Sequence, residues 1–514
     1  MTKRGSGESW WFRLSAVAMV AGLVWLLPWL LLSLNWELWP FAVVYAIGNI
    51  VIATNLVLTA VNNWVRNDPK PIVLTSDEPV VGVIIPTAGE PNWMVERTVR
   101  SVLAQDWPRN RLQIVVTDDS HRREIAELVA RINLDTNGAS VLYHEPEPRH
   151  LRIGEGKAGN LNSALRRFKE AVRYIETRDA DDEVEDPLFL RQCVGQLEAN
   201  KRLAFVQTMK TASVSRGDPF NNLELIFYRE IMPARNAANA VFPCGSGLVW
   251  RRLALREIGD FPTWNLVEDL QSGVEALRRG WRGAYLPIVG ARAQHAPEDI
   301  PNLYKQRGTW ALDTMRLLVW RDLRGLTLRQ RLQFIELGVW YLQGFTTWAL
   351  ALMGTAWLVW DLSPLITDAE SFAAHFLPFV LTVELFLVGF KGRQPYAALW
   401  HTRQLGIGLA PVFLRACLVA LIAGPNKRPA YQVTRKQHAF AVYWRQVFIH
   451  VIALVAVIGG FLYGVLVRHH PFALSPATLY WVAVFVLLVG GFVTKSWFGV
   501  RARPPALATP RVPV

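Results

Sequence analysis

Apolar and polar residues are distributed unevenly along the chain. Long apolar runs lie at both ends, and short apolar runs punctuated by Gly, Pro and acidic residues fill the middle. Residues 16–34 carry no charge over a length that suits a hydrocarbon core of about 30 Å, and predict a transmembrane helix. Residues 39–61 predict a second. No small-residue cleavage site separates the two, which argues against a signal peptide. Residues 337–360, 372–390, 447–467 and 474–493 predict four more, six spans in all. Residues 405–424 are apolar too, but carry Arg415 near their middle and are flanked by Lys391, Arg393, Arg403, Lys427 and Arg428. That pattern predicts an interfacial or re-entrant helix.

In the middle, residues 80–86 and 112–116 are short apolar runs ended by turn residues, with helical spacing over 95–103 between them. They predict a strand, helix, strand unit with buried parallel strands. Ligands of such sheets bind beyond the carboxyl ends of the strands, where Thr87, Glu90, Asp118 and Asp119 fall. The two aspartates suit a base or ribose, or equally the cap of the next helix. Helical spacing resumes over 161–174. Residues 242–247 predict a tight turn before a strand at 248–250, and a helix follows 265–270 through Leu277.

Composition sharpens this division. A chain of 514 residues that is 51% hydrophobic with 22 Trp is not one ordinary soluble domain. The formal charge of +13 collects beside the apolar runs, which favours a membrane surface and excludes nucleic acid as a partner. Lys3, Arg4, Arg13, Arg66, Lys70, Lys495, Arg501 and Arg503 put both termini and the middle region in the cytoplasm by the positive-inside rule, as expected of a plasma (inner) membrane protein. Cys193, Cys244 and Cys417 are odd in number and far apart, which excludes a disulfide or zinc framework.

Four stretches carry candidate chemistry. Residues 154–162 are glycine-rich, contain Lys157 and enter a helix, which suits phosphate oxygens without the Walker spacing. Asp179 and Asp181, one residue apart, can hold Mg²⁺ or Mn²⁺ against a diphosphate, although Glu176, Thr177 and Arg178 are unusual residues for the strand before them. Asp269, after Val267 and Glu268, is a base or an ordinary first-turn acid. Gln306 to Trp310 set a planar cation and an indole within one helical turn, to line a sugar site or to anchor the domain to lipid.

In order and spacing these motifs resemble the processive β-glycosyltransferases, the cellulose, chitin and hyaluronan synthase group of membrane-embedded family 2 glycosyltransferases. The resemblance rests on residues 157–162 (KAGNLN), on Asp179-Ala180-Asp181, on Glu268-Asp269 in place of the family's TED, and on Gln306 to Trp310 in place of its QxxRW. It implies an α/β GT-A-like nucleotide-sugar domain inserted between transmembrane α-helices, with helices in 1–70, the domain in 71–325, helices in 326–494 and a tail in 495–514. It further implies that Thr87, Glu90 and Asp118 hold the nucleoside of a UDP-sugar, Lys157 the diphosphate, and Asp179 and Asp181 the Mg²⁺ or Mn²⁺. Asp269 would be the base of an inverting transfer, kept ionised by its helix-start position, and Cys244, Glu268, Gln306 and Trp310 would meet the acceptor glycan.

Two departures stand out. Val267 replaces the threonine of TED, and Thr309 replaces the arginine of QxxRW, which leaves Arg307 as the candidate second clamp on the diphosphate. Tyr431, Val433, Thr434 and Lys436 resemble the family's FxVTxKG gating loop, with Gln437 for its glycine. About 20 residues follow the last predicted helix, too few for a folded domain, so a PilZ-type regulatory domain is not expected. The expected function is extension of a β-linked polysaccharide from a UDP-sugar, UDP-glucose favoured, with export through the chain's own helices. The alternative is a non-processive transferase acting on a lipid, which Thr309 favours. A transporter or scaffold with a dead enzyme domain is disfavoured because the acidic sites are intact. Expected partners are the donor, the glycan and the bilayer, with a homo-oligomer or accessory export proteins left open.

Overall fold

A computed structural model describes residues 6–148, 150–152, 154–426 and 442–498. The gating-like stretch with Tyr431, Val433, Thr434 and Lys436 lies outside the described residues.

The middle of the chain folds around a seven-stranded sheet: β1 (Val80–Thr87), β2 (Leu112–Asp118), β3 (Ser140–His144), β4 (Val172–Thr177), β5 (Leu203–Ser213), β6 (Leu248–Arg251) and β7 (Arg282–His295). Their order is β3-β2-β1-β4-β6-β5-β7. The pairs β1 with β2, β1 with β4, β2 with β3 and β5 with β7 are parallel, while β6 runs antiparallel to β4 and β5. Side chains of β1 alternate between two cores. Val81, Val83 and Ile85 meet Val95, Val99 and Val102 of the helix Asn92–Leu103, and Ile84 meets Leu161 and Ala164 of the helix Gly156–Leu165. Both faces are therefore covered, and the strand reads as an unbroken apolar run.

Of the helix expected over 161–174, only residues 161–165 are helical. It begins at Gly156 and stops at Leu165, and residues 172–177 form the central strand β4. Leu161, Leu165, Phe168 and Val172 recur at helical intervals and share one core, but the chain turns between the last two. The polar end of β4 is explained by a buried ion triplet. Arg178 is fully enclosed, its Nε 2.6 Å from Glu176 and its NH1 2.8 Å from Asp182. One guanidinium between two carboxylates lets charged residues sit where apolar ones were expected.

Among the described residues, five helices are long and apolar enough to cross a membrane: Trp10–Leu32, Trp36–Asn62, Ala369–Phe390, Trp444–Leu466 and Pro476–Ser496. The helix Leu328–Trp360, counted as a span in the sequence, has 33 residues but falls outside this set. Gln343, Thr346, Thr347 and Thr355 dilute it, and its polar groups bond inward: Gln343 accepts from Asn55 at 2.6 Å, and Glu336 from Thr59 at 2.9 Å and Asn62 at 2.6 Å. Residues 405–424 lie in two helices, Tyr396–Gly408 and Ala410–Ala423, bent by 55°; taken as one broken span, they bring the number to six. At the bundle end away from the sheet, Asn35 N donates to Pro364 O at 2.9 Å, Ile366 N to Ser33 O at 2.7 Å, and Asp361 pairs with Arg468 and His470. At the near end, Arg66 pairs with Glu230 of the domain.

Candidate active site

The carboxyl ends of β1, β2 and β4 and the far end of β5 and β7 open on one cleft of about 510 Å³. It is lined by Thr87, Glu90, Lys157, Asp179, Asp181, Cys244, Glu268, Asp269, Gln306, Arg307 and Trp310, every site residue singled out above within the described chain except Asp118. Strand ends far apart in sequence meet here because the parallel strands of the sheet all end at the same edge.

After β1 the chain turns so that Glu90 accepts from Thr87 Oγ1 and from Ala88 N, each at 2.7 Å. Asp118 takes no part in the cleft wall. It is fully buried and accepts from Ser120 N at 3.1 Å, Arg122 N at 2.9 Å and Arg122 Nε at 3.1 Å, so it caps the turn into the helix Arg123–Asn133. The structure does not bring Asp118 to the cleft, where a nucleoside role was expected of it; its neighbour Asp119 lines the cleft and pairs with Arg152.

Lys157 stands in the first turn of Gly156–Leu165, its Nζ 2.6 Å from Asp179 Oδ1, 3.1 Å from Gly245 O and 3.6 Å from Glu268 Oε1. Burial alone would depress its pKa, but the Asp179 and Glu268 carboxylates outweigh it and hold the ammonium above a lysine's ordinary value. Asp179 also accepts from Gln294 Nε2 at 2.9 Å, and Asp181 from His295 N at 3.0 Å. Among the described residues no three His, Cys, Asp or Glu are grouped to hold a cation by themselves. Mg²⁺ ordinarily needs only one or two carboxylates plus substrate phosphates, and the hard oxygen donors of Asp179 and Asp181, both on the cleft wall, fit that requirement.

Asp269 lies in the first turn of Glu268–Arg278, with Oδ1 accepting from Leu270 N at 2.6 Å. Its pKa is pushed up to about 7, by burial first and by the Glu268 carboxylate second, with Lys157 and Lys210 opposing. The expectation that a helix start keeps it ionised meets an opposing effect, since burial and the Glu268 carboxylate disfavour its charged form. Gly245 faces it with φ +83°, and a Cβ there would sit 3.0 Å from Lys157 Nζ and 3.3 Å from Asp269 Oδ2. Only glycine suits that turn.

The far wall is the helix Ile300–Trp320, capped by Asp299, whose side chain accepts from Asn302 N at 3.0 Å. Because the helix is regular through Gln306 to Trp310, Arg307 and Thr309 point to different faces. Arg307, the expected second hold on the diphosphate, lines the cleft but pairs with Glu224 and lies over the Trp310 ring at 4.5 Å. Thr309 Oγ1 donates to Lys305 O at 2.8 Å. Sequence reading missed Lys210, Glu224, Gln294 and His295, all in the cleft. Lys210, a cation that follows the apolar residues 203–206 on one strand, could have been found by the same strand-end rule that singled out Asp118 and Asp119.

The chain is similar to known proteins. The family described as glycosyltransferase like family 2 matches residues 79–312. A UDP-forming cellulose synthase catalytic subunit of Xanthomonas axonopodis pv. citri (strain 306) is 32% identical over 287 residues, 52% of this chain and 36% of the relative. One of Pseudomonas fluorescens (strain SBW25) is 27% identical over 386 residues, 73% and 49% respectively. Cellulose synthase 2 of Novacetimonas hansenii is 28% identical over 483 residues, 86% and 28%. The chain thus spans less than half the length of these relatives. A mannosyltransferase from Pyrobaculum calidifontis, solved in complex with GDP-Man and Mn²⁺, shares the fold at TM-score 0.50 and 19% identity, over 74% of this chain and 99% of its own. Residues 79–312 form a GT-A-like glycosyltransferase domain of family 2, set between apolar helices.

Proposed function

We propose that the chain is an inverting, membrane-embedded glycosyltransferase that adds sugar from a UDP-sugar, UDP-glucose favoured, to a β-linked polysaccharide and passes the product through its own helices. The domain faces the cytoplasm. Thr87, Glu90 and Asp119 hold the nucleoside, and Lys157 holds the diphosphate. Asp179 and Asp181 would hold Mg²⁺ or Mn²⁺, which neutralises charge on the leaving group when bound. Asp269, ionised, takes the proton of an acceptor hydroxyl positioned by Trp310, Gln306, Glu268 and Cys244. The acceptor oxygen bonds to the anomeric carbon as the carbon to phosphate-oxygen bond breaks on the opposite face, and UDP departs with that electron pair.

One observation carries the export half of this reading. The helix Ile300–Trp320 presents Trp310 to the cleft and packs against Ala410–Ala423, and Trp340 joins that apolar cluster while also walling a cavity of about 330 Å³ inside the bundle. The cavity mixes rings with hydrogen-bonding groups, among them Trp357, Trp481, Gln343, Thr402 and Tyr480, a combination suited to sugar faces and hydroxyls. A second reading, transfer of one or a few sugars to a lipid, is favoured by Thr309 and by the engagement of Arg307 with Glu224. Purified protein supplied with a panel of UDP-sugars, with product sizing and digestion by linkage-specific hydrolases, separates the two. A long β-linked product is expected, and products of one to a few sugars on lipid would replace this reading with the second.

A further inference from the structure

Three side chains with a full positive charge line the cleft among the described residues: Lys157, Lys210 and Arg307. Arg307 is committed to Glu224, and Lys157 to Asp179 and Glu268. Lys210 differs. It forms no ion pair among the described residues, and its half-buried ammonium donates to one neutral acceptor, Cys244 O, at 2.8 Å. An ammonium has three donors, so this contact leaves two. The Asp269 carboxylate is near enough to feel this charge, and the remaining donors can serve a further anion in the cleft.

The fold fixes where such an anion would lie. Lys210 extends from β5 past its last rung with β6, which is Gln207 with Leu248, and pairs across to Ala291 of β7. Cys244 and Gly245 are successive residues of the turn before β6. The carbonyl of the first accepts from Lys210 and that of the second from Lys157 at 3.1 Å. Two ammonium groups are thereby tethered to adjacent peptide units of one turn, and Asp269 faces the same turn at Gly245. The pair forms a cationic wall beside Asp179 and Asp269, in a cleft that Thr309 lines without the arginine of QxxRW.

We propose that Lys210 is the second diphosphate-binding cation of this cleft, in the role vacated at Thr309. This rests on the reading that the cleft takes a UDP-sugar. A lysine supplies a point charge to phosphate oxygens without the planar fork of arginine, so the second phosphate is held by charge more than by paired geometry.

The test is binding of UDP and of UMP, each with Mg²⁺, to the purified full chain and its variants. Lys210→Met should weaken UDP binding about tenfold or more, the loss of one charge-assisted contact, and leave UMP binding within about twofold. Lys210→Arg should keep UDP affinity within about threefold, and Thr309→Arg added to Lys210→Met should restore part of the loss. Unchanged UDP affinity in Lys210→Met, with UDP bound normally by the wild type, overturns the assignment of Lys210 alone. Equal weakening of UDP and UMP also overturns it, because Lys210 would then only support the turn. A wild-type chain that binds neither nucleotide overturns the UDP-sugar reading itself and the proposal with it.

Discussion

Asp269 meets two conflicting demands. A base must be ionised to take a hydroxyl proton, yet enclosure beside Glu268 pushes its pKa up to about 7. Below that pH the carboxyl is protonated and cannot accept, so turnover should rise as pH rises through about 7 and level off above it. Asp269→Asn should lower turnover by about 10²- to 10⁴-fold, remove that rise and spare nucleotide affinity. Steady-state rates across pH, set beside nucleotide binding, check this, and an equal loss of affinity would make the residue structural. At this scale the sequence was legible wherever residue type and order suffice, as for Lys157, Asp179, Asp181 and Asp269, which all line one cleft. It was not legible where a tertiary partner decides. Of two adjacent acids at the end of β2, Asp118 turns inward because Arg122 folds back onto it. Arg307 is claimed by Glu224, 83 residues away in sequence.

The helix Ile300–Trp320 does more than present Trp310. The N-cap of Glu268–Arg278 is Val267, which has no capping side chain, and the carboxylate of Asp313, one turn beyond Trp310, accepts from Val267 N at 2.6 Å. Asp313 also accepts through its backbone oxygen from Asn265 Nδ2 at 3.1 Å. The acceptor helix thus caps the helix of the base from outside and sets the position of Asp269 against Trp310. Asp313→Ala removes this cap, typically worth about 1 kcal/mol, and should lower turnover by about tenfold with the KM for the UDP-sugar little changed. Asp313→Asn keeps an acceptor oxygen and should stay near wild type, so kinetics of the two variants decide the point. Equal rates in Asp313→Ala and wild type would mean that the helices are positioned independently. Elements were legible where periodicity was unambiguous, as in β1, β2 and the helix between them. The start of β4 was hidden because its apolar residues continue a helical spacing across a turn, and the charged end, where a strand was expected, is balanced by the buried triplet of Arg178, Glu176 and Asp182.

Across the whole molecule, the apolar helices are linked at the end away from the sheet, where the chain around Ser33 to Asn35 bonds to Pro364 and Ile366. Within the bundle, Arg403 is paired with Glu384 through contacts of 2.8 and 2.7 Å, and Tyr480 donates to Glu384 at 2.7 Å. Charge inside an apolar helix such as Ala369–Phe390 is costly and persists where it is paired or faces a cavity, and here both conditions hold. The two apolar ends were legible from hydropathy alone. The number of spans was not, because the cavity draws polar residues into Leu328–Trp360 and a bend at Leu409 divides the run that follows. The central claim, that one cleft transfers sugar from a UDP-sugar through Asp269, is tested most directly by UDP release from the purified chain. Release is predicted with Mg²⁺ or Mn²⁺, is predicted to stop in EDTA and return with added metal, and to be nearly lost in Asp269→Asn. No UDP from any UDP-sugar tried, or equal release by wild type and Asp269→Asn, would contradict it.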